Sequence, residues 1–378
     1  MRQPGKRTRA ALRLGLPIAI AIGVVALSVR DTQAHKAITS KYDYNKDIFP
    51  LLRDRCASCH TAGGPAPMSL TTYNDAVMWA ESIREELSAR RMPPWPVDSM
   101  SPAIKGGHPI TARDIDMIVT WASGGTPHGD LQKVLPEIVY KAQWKLGPPD
   151  LTIAMDAAHT VAPGTVDETC DFSIPTGLTE AKWVRAVDLM PGTATLVRDA
   201  MISIDNGPTL AEWEPGGNTI AAPSGAAFRL PAGSTIHLQI HYKKHYLDEQ
   251  IAVSDRSTIG LYFTDAPPSG RELQSLALDG LRGRFSGAAR IIALRPMLDQ
   301  PYESVQVAAV TPTGTRVPLL KLHGARPQWF RRYWLQEPVE VPGGTIIEAT
   351  VTPLPTDPDE PRTPKRFPLQ ISLDYVPQ

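Results

Sequence analysis

The chain has 378 residues, and its 39 Lys and Arg are balanced by 39 Asp and Glu, so no net field draws polyanions and nucleic acid is excluded as a partner class. The length exceeds what one hydrophobic core usually organises, so more than one folded unit is expected. Hydrophobics at 42% and aromatics at 7% are ordinary for a globular protein, while 37 prolines and 28 glycines favour turns and short strands over long helices.

Arg2, Lys6, Arg7, Arg9 and Arg13 precede an uncharged apolar run from Leu14 to Val29, the pattern of a basic n-region and an h-region. Residues 1–34 are therefore expected to be a signal peptide or an N-terminal anchor. The run is shorter than the roughly 20 residues that span a bilayer comfortably, and Thr32-Gln33-Ala34 puts small residues where a signal peptidase could cut. Either outcome sends the rest of the chain across the membrane, which predicts a periplasmic protein or one tethered to the periplasmic face of the inner membrane. Cleavage after Ala34 would expose His35, whose amine and ring together can chelate copper.

The next segment reads as helical. Asp43 or Asn45 can cap a helix in which Ile48, Phe49, Leu51 and Leu52 share a face and which runs directly into Cys56. A second helix is expected from about Asn74 to Ala89, with Val77, Ala80, Ile83 and Leu87 at helical spacing. A third begins at Thr111, with Asp114 at the capping-box position and Ile115, Ile118, Val119 and Ala122 as its stripe, and ends at Gly124-Gly125.

Between the first two helices lies Cys56-Ala57-Ser58-Cys59-His60. Two cysteines separated by two residues and followed by histidine let both thiols add to the vinyl groups of a haem while the adjacent imidazole reaches the iron. Cys56 and Cys59 are thus the candidate attachment residues for haem c, and His60 the proximal ligand. For the opposite face, Met92 in Arg91-Met92-Pro93-Pro94-Trp95 is chosen, because the following prolines can hold an extended loop over an exposed haem face. Met68, in Pro65-Ala66-Pro67-Met68, is the fallback, and His108 is a third option that implies a lower potential. Cys-x-x-Cys-His, the later Met-Pro-Pro-Trp and the closing Trp121-Ala122-Ser123-Gly124-Gly125 resemble bacterial class I cytochrome c domains. The resemblance covers residues 42–130 and implies a small all-α fold that passes single electrons through a low-spin haem.

From Thr126 to Pro149 the chain carries Thr-Pro, Leu-Pro and Gly-Pro-Pro breaks, and residues 131–149 are read as a linker. Beyond it, short alternating runs at Trp183 to Leu189, Thr235 to Tyr242, Ser304 to Val310 and Thr345 to Val351 alternate with glycine turns. That rhythm predicts an antiparallel β-sandwich or jelly roll. The break at Ala266-Pro267-Pro268-Ser269-Gly270 divides it into a unit over 150–265 and another over 271–378. The expected fold is therefore multidomain: a small all-α cytochrome c domain followed by an all-β double jelly roll. Cys170 has no cysteine partner left and reads as a small apolar residue of a strand.

Trp183-Val184-Arg185-Ala186-Val187, Leu210-Ala211-Glu212-Trp213-Glu214-Pro215-Gly216, Leu230-Pro231-Ala232-Gly233 and His241-Tyr242 resemble the copper type II, ascorbate-dependent monooxygenases, the peptidylglycine hydroxylase-like proteins. The resemblance implies two jelly rolls facing each other across a solvent cleft, with one copper in each. Of the implied first-domain ligands only His241 is present; Arg198 and Asp199 stand where a histidine pair belongs, and Arg295-Pro296-Met297 stands where the second domain carries His-x-His. Arginine cannot shed its proton to bind copper. His237, His241 and His245 do not replace the missing ligands on a straight strand, because residues four apart are separated by about 13 Å, too far for two imidazoles each about 2 Å from one ion; only a bend at Lys243-Lys244 would let His241 and His245 approach. His323 has no role assigned.

These readings point to an exported c-type cytochrome that exchanges single electrons with a redox partner protein or a membrane electron-transfer chain, fused to a monooxygenase-like sandwich pair that has lost its copper sites. The alternative is a haem-fed copper-dependent monooxygenase, with His241 as a residual copper ligand. A surface-binding module with Trp213, Trp329 and Trp334 as platforms is the third.

Overall fold

The computed structural model describes residues 39–107, 110–267, 272–355 and 367–378. The leader, His35 and His108 lie outside the described residues. Among the described residues, no helix is long and apolar enough to cross a membrane.

The helical segment starts as its sequence dictates: the Asp43 side chain accepts from the Lys46 N–H, opening a π-helical turn (Tyr44–Ile48) that runs into α1 (Phe49–Arg55). The single helix expected over 74–89 is instead two, α2 (Tyr73–Met78) and α3 (Ala80–Ser88), broken at Trp79, which adopts φ −103° and ψ 7°. Thr111 caps α4 (Ala112–Ser123) through the expected reciprocal box with Asp114, both bonds at 3.1 Å. Tyr44, Ile48, Leu52, Ile118 and Trp121 form the centre of a small helical core. The Trp121 indole N–H donates to the Pro127 carbonyl at 3.1 Å, so its one polar atom is satisfied on burial.

From residue 151 the chain is antiparallel strand. One sheet orders β1 (Leu151–Ala154), β10 (Thr258–Thr264), β4 (Lys182–Met190) and β7 (Phe228–Leu230). A second orders β3 (Asp167–Pro175), β8 (Thr235–Lys243), β5 (Val197–Ile204) and β6 (Thr209–Trp213), and β2 (His159–Val161) pairs with β9 (Val253–Asp255) beside it. A third orders β11 (Gln274–Ala277), β18 (Gln370–Pro377), β13 (Ala289–Met297) and β16 (Tyr333–Val341). The fourth orders β12 (Arg282–Arg284), β17 (Ile346–Pro353), β14 (Tyr302–Val310) and β15 (Arg316–Ala325). β8 shows the period-2 logic most clearly: Ile236, Leu238, Ile240 and Tyr242 are fully buried, while His237, Gln239 and His241 share the opposite face.

The expected architecture, an all-α cytochrome domain followed by a double jelly roll, is overturned. Strand makes up 38% and helix 14%, the helices are a short cluster rather than a separate domain, and the four sheets have a four-blade, propeller-like arrangement. The physical reason lies in residues 96–105, which carry neither helical nor strand periodicity yet are sewn into the β part by backbone bonds. Val97 bridges Leu322 of β15 and Ile104 bridges Leu335 of β16. Asp98 N–H donates to Lys321 O at 2.9 Å, His323 N–H to Pro96 O at 2.8 Å and Lys105 N–H to Trp334 O at 2.8 Å. The side chains of Val97 and Ile104 pack on the β core made by Leu294, Leu322 and Leu335.

The two halves of the β region also meet differently from two jelly rolls across a solvent cleft. Ile292, Ala293, Trp334 and Val376, from the third sheet, are buried in the core that belongs to the first two. Beside them Glu212, Arg295, Arg332 and Asp374 form a buried set of two anions and two cations, with Arg332 Nε 2.8 Å from Asp374 Oδ2 and Arg295 Nη1 3.3 Å from Glu212 Oε1. Removing one member of such a set costs about 3–5 kcal/mol, because the opposite charge stays buried. Trp334 lies in this junction under the Arg332 guanidinium, and Trp213 packs on the same core, so neither is an open platform.

Candidate haem-attachment site

The Cys56-x-x-Cys59-His60 motif occupies the turn that ends α1. Cys56 N–H donates to Leu52 O at 2.9 Å, and the Cys59 and His60 N–H groups both donate to Cys56 O, at 3.1 and 2.9 Å. The chain then doubles back: Ala66 N–H reaches Cys59 O at 3.2 Å and Leu70 N–H reaches His60 O at 3.0 Å. Gly64 is required in this loop, since a Cβ there would stand 2.7 Å from Cys59 O and 2.9 Å from Thr61 O.

His60 Nδ1 is 3.2 Å from the Met68 carbonyl oxygen. A carbonyl only accepts, so the bond places the ring proton on Nδ1 and leaves Nε2 with its lone pair. Burial holds the imidazole below the usual histidine range, with the Met68 carbonyl opposing. Burial pushes the Cys56 thiol up to about 12, with the Cys59 charge adding and Arg55 opposing, and burial raises Cys59 as well. Two neutral thiols and one bare imidazole nitrogen are the donor set that covalent haem attachment uses: each S–H adds across a vinyl C=C, sulfur to one carbon and hydrogen to the other. The residues fit the group.

The two methionines are placed differently. The Met68 carbonyl sits behind the His60 ring, away from Nε2, and its side chain packs on the helical core. Met92 is held in a separate loop after α3, where its N–H reaches Glu86 O at 3.4 Å beside the Arg91–Glu86 ion pair at 2.8 Å. The β part grips the residues that follow: Arg331 Nη2 donates to Pro94 O at 2.7 Å and its guanidinium covers the Trp95 ring at 5.3 Å.

The Cys56–His60 turn is pressed onto the β part. The Cys59 thiol donates to Pro215 O at 3.3 Å, and Gly216, at φ +69°, leaves room for it; a Cβ on Gly216 would be 2.6 Å from Cys59 Sγ. Glu214, just before this turn, pairs with Arg331 at 2.6 Å. On the other side of the loop the Pro65 carbonyl accepts from the Arg198 guanidinium and lies 3.5 Å from His245 Nε2.

The outer face of β8 lies next to this contact. His241 sits between two carboxylates, with Nδ1 2.8 Å from Asp199 Oδ2 and Nε2 2.9 Å from Asp167 Oδ1. Each ring nitrogen thus faces a carboxylate oxygen, and a metal at either one would have to displace that contact. His237 Nε2 is 3.2 Å from Asp171 Oδ1. Arg198 and Asp199, at the place of the missing histidine pair, thus serve the Pro65 contact and the His241 clamp, and Arg295 belongs to the buried ion set.

The opposite face of the same edge holds a group that strand reading of Cys170 as an apolar residue missed. His159 Nε2 is 2.8 Å from Glu168 Oε1 and 3.4 Å from Cys170 Sγ, and the three ligand atoms all lie within 4.8 Å of one another. The one sequence signal was Glu168-x-Cys170, two donors on one face of a strand; the partner histidine arrives from β2. Burial pushes the Cys170 thiol up, with the charges of Glu168 and Asp171 adding.

No protein-family model matches the chain, and no curated protein does. Among solved structures, that of Bacillus subtilis oxalate decarboxylase, described for its Mn(II) centres, is 8% identical over 75% of this chain and 87% of that one, with a TM-score of 0.13. A likeness at that score carries no argument about fold or function.

Proposed function

We propose that this protein is an exported c-type cytochrome, in which Cys56 and Cys59 hold haem c, His60 is the proximal ligand and Met92 the distal one. The observation that carries this reading is the His60 Nδ1 bond to Met68 O at 3.2 Å, which leaves Nε2 with its lone pair on the residue that follows Cys59 in the turn. The bound haem supplies a one-electron change at iron. The chain's own residues fix the ring tautomer, hold the thiols at the end of α1 and press the Cys59 edge onto the Pro215-Gly216 turn, which excludes water from that side. Electron exchange takes place with a redox partner protein or a membrane electron-transfer chain on the periplasmic side. The carboxylate clamp on His241 and the ion pairs of Arg295 argue against copper at the two places where the monooxygenase resemblance would put it, so the β part serves here as the body that positions the haem.

The test is expression with the haem-maturation machinery, followed by mass measurement of the denatured chain. The expected result is a mass increase of one haem that survives acid and organic extraction, and its complete loss in the Cys56→Ala/Cys59→Ala variant. An unmodified wild-type chain under conditions that mature a control cytochrome would overturn the proposal.

A further inference from the structure

We propose that His159, Glu168 and Cys170 form a binding site for a divalent cation of the zinc class, separate from the haem turn and independent of the haem reading. Three donor types, an imidazole nitrogen, a carboxylate oxygen and a sulfur, converge here from β2 and β3, the mixed set that borderline-soft cations favour over magnesium or calcium. Tetrahedral ligands about 2.0–2.3 Å from an ion stand about 3.3–3.6 Å apart. The 3.4 Å between His159 Nε2 and Cys170 Sγ already meets that spacing. The 2.8 Å between His159 Nε2 and Glu168 Oε1 needs to open by about 0.5 Å, within reach of a half-buried carboxylate on a rotatable stem.

Without a cation, a proton on His159 Nε2 serves Glu168 Oε1 at 2.8 Å and reaches Cys170 Sγ at 3.4 Å only as a weak acceptor. A cation at the centre takes all three atoms as ligands, with the thiol proton released to solvent.

The surrounding residues hold the ring still. His159 stacks on Tyr242, centroids 5.1 Å apart at 15°, and meets Phe172 edge-on at 5.7 Å. The Tyr242 hydroxyl donates to Asp255 Oδ2 at 3.2 Å, and that buried carboxylate also accepts from the Ser257 hydroxyl at 2.8 Å and the Thr193 N–H at 2.8 Å. The His159 backbone pairs with Asp255 itself in the β2–β9 ladder. The imidazole is therefore fixed from its face, its edge and its backbone, the outer support that a metal-ligating histidine needs. Three protein ligands leave a fourth position for water or a substrate atom.

The test is zinc(II) titration of the full chain against a chelator of known affinity, with retained metal counted by elemental analysis, in four proteins: wild type, Cys170→Ala, His159→Gln and Cys56→Ala/Cys59→Ala. Tight binding of one zinc is expected in wild type and in the Cys56→Ala/Cys59→Ala variant, and a loss of roughly 100-fold or more in affinity in the other two. Metal-free thermal unfolding of each variant checks that a loss reflects the missing ligand. Cobalt(II) in the Cys56→Ala/Cys59→Ala background gives a second readout: a thiolate-to-cobalt charge-transfer band that vanishes with Cys170→Ala. Absence of tight zinc binding in wild type, stoichiometry unchanged by Cys170→Ala, or metal that follows Cys56 and Cys59 would each overturn the site.

Discussion

His60 and His241 stand at the two ends of one contact chain, running from the attachment turn through the Pro65 carbonyl to Arg198 and Asp199. His60 has Nδ1 tied to a backbone carbonyl, which leaves Nε2 for a ligand. His241 faces a carboxylate at each nitrogen, at 2.8 and 2.9 Å. The same side chain thus keeps one ring nitrogen open in one place and faces a carboxylate at each nitrogen in the other, and the partners of the ring decide which.

On the proposed haem reading, the largest effect is expected at Met92. Met92→Ala is expected to abolish the sulfur-to-iron charge-transfer band of the oxidised haem protein and to lower its potential, whereas Met68→Ala should keep the band, because Met68 lies behind the proximal ring. Optical spectra and redox titration of the two variants decide; a band lost only in Met68→Ala would reverse the assignment.

The other end of the chain should respond in stability and not in spectrum. His241→Ala removes one partner of the buried Asp199 carboxylate and should cost about 1–3 kcal/mol in denaturant unfolding, with haem spectrum and potential unchanged. A shifted potential at equal stability would show that the clamp does more than hold the sheet edge.

Gly216→Ala tests the contact that joins the two regions. Forcing a side chain into the φ +69° position, 2.6 Å from Cys59 Sγ, should cost about 1–2 kcal/mol from backbone strain and expose the attachment turn to hydrogen exchange. Wild-type exchange rates around Cys59 in that variant would mean the turn is not held by the Pro215-Gly216 contact.

The smallest effect expected is a pH dependence at His245. Burial, and then the charge of Arg198, hold this imidazole below the usual histidine range, with the Pro65 carbonyl opposing. A histidine depressed in the folded state contributes stability at pH above its unfolded value and loses it as pH falls through about 6.5 toward the depressed value. Protection of the Pro65 loop amides, relative to their intrinsic exchange rate at each pH, should therefore fall below that pH, and His245→Ala should flatten the profile; a profile unchanged by the substitution would assign the effect to another group.

Local features were legible in the sequence where a side chain meets its own backbone neighbours. The Thr111–Asp114 box and the alternation of β8 follow from spacing alone, and of the two cap candidates Asp43 and Asn45 the structure uses Asp43. The break at Trp79 did not, since the apolar spacing of Val77, Ala80 and Leu87 suits one helix as well as two. The architecture was misread because residues 96–105 join β15 and β16 through backbone N–H and C=O groups, which nearly every residue owns whatever its side chain and no composition records. The ion set of Glu212, Arg295, Arg332 and Asp374 and the meeting of His159 with Glu168 and Cys170 were hidden for a related reason: their partners come from other strands, and only the fold brings them together.

The seal over Cys59 has a consequence for the order of events in the life of the chain. Its sulfur is covered by a turn 156 positions further along the sequence, so a bulky reagent must reach that atom before the covering turn closes. On the proposed reading, a chain exported amino terminus first would meet this condition without a separate device: Cys56 and Cys59 would emerge while Pro215 and Gly216 were still behind the membrane, and that interval would be the window for attachment. Slowing export should widen that window, and presenting the finished fold to the attachment machinery should find it shut.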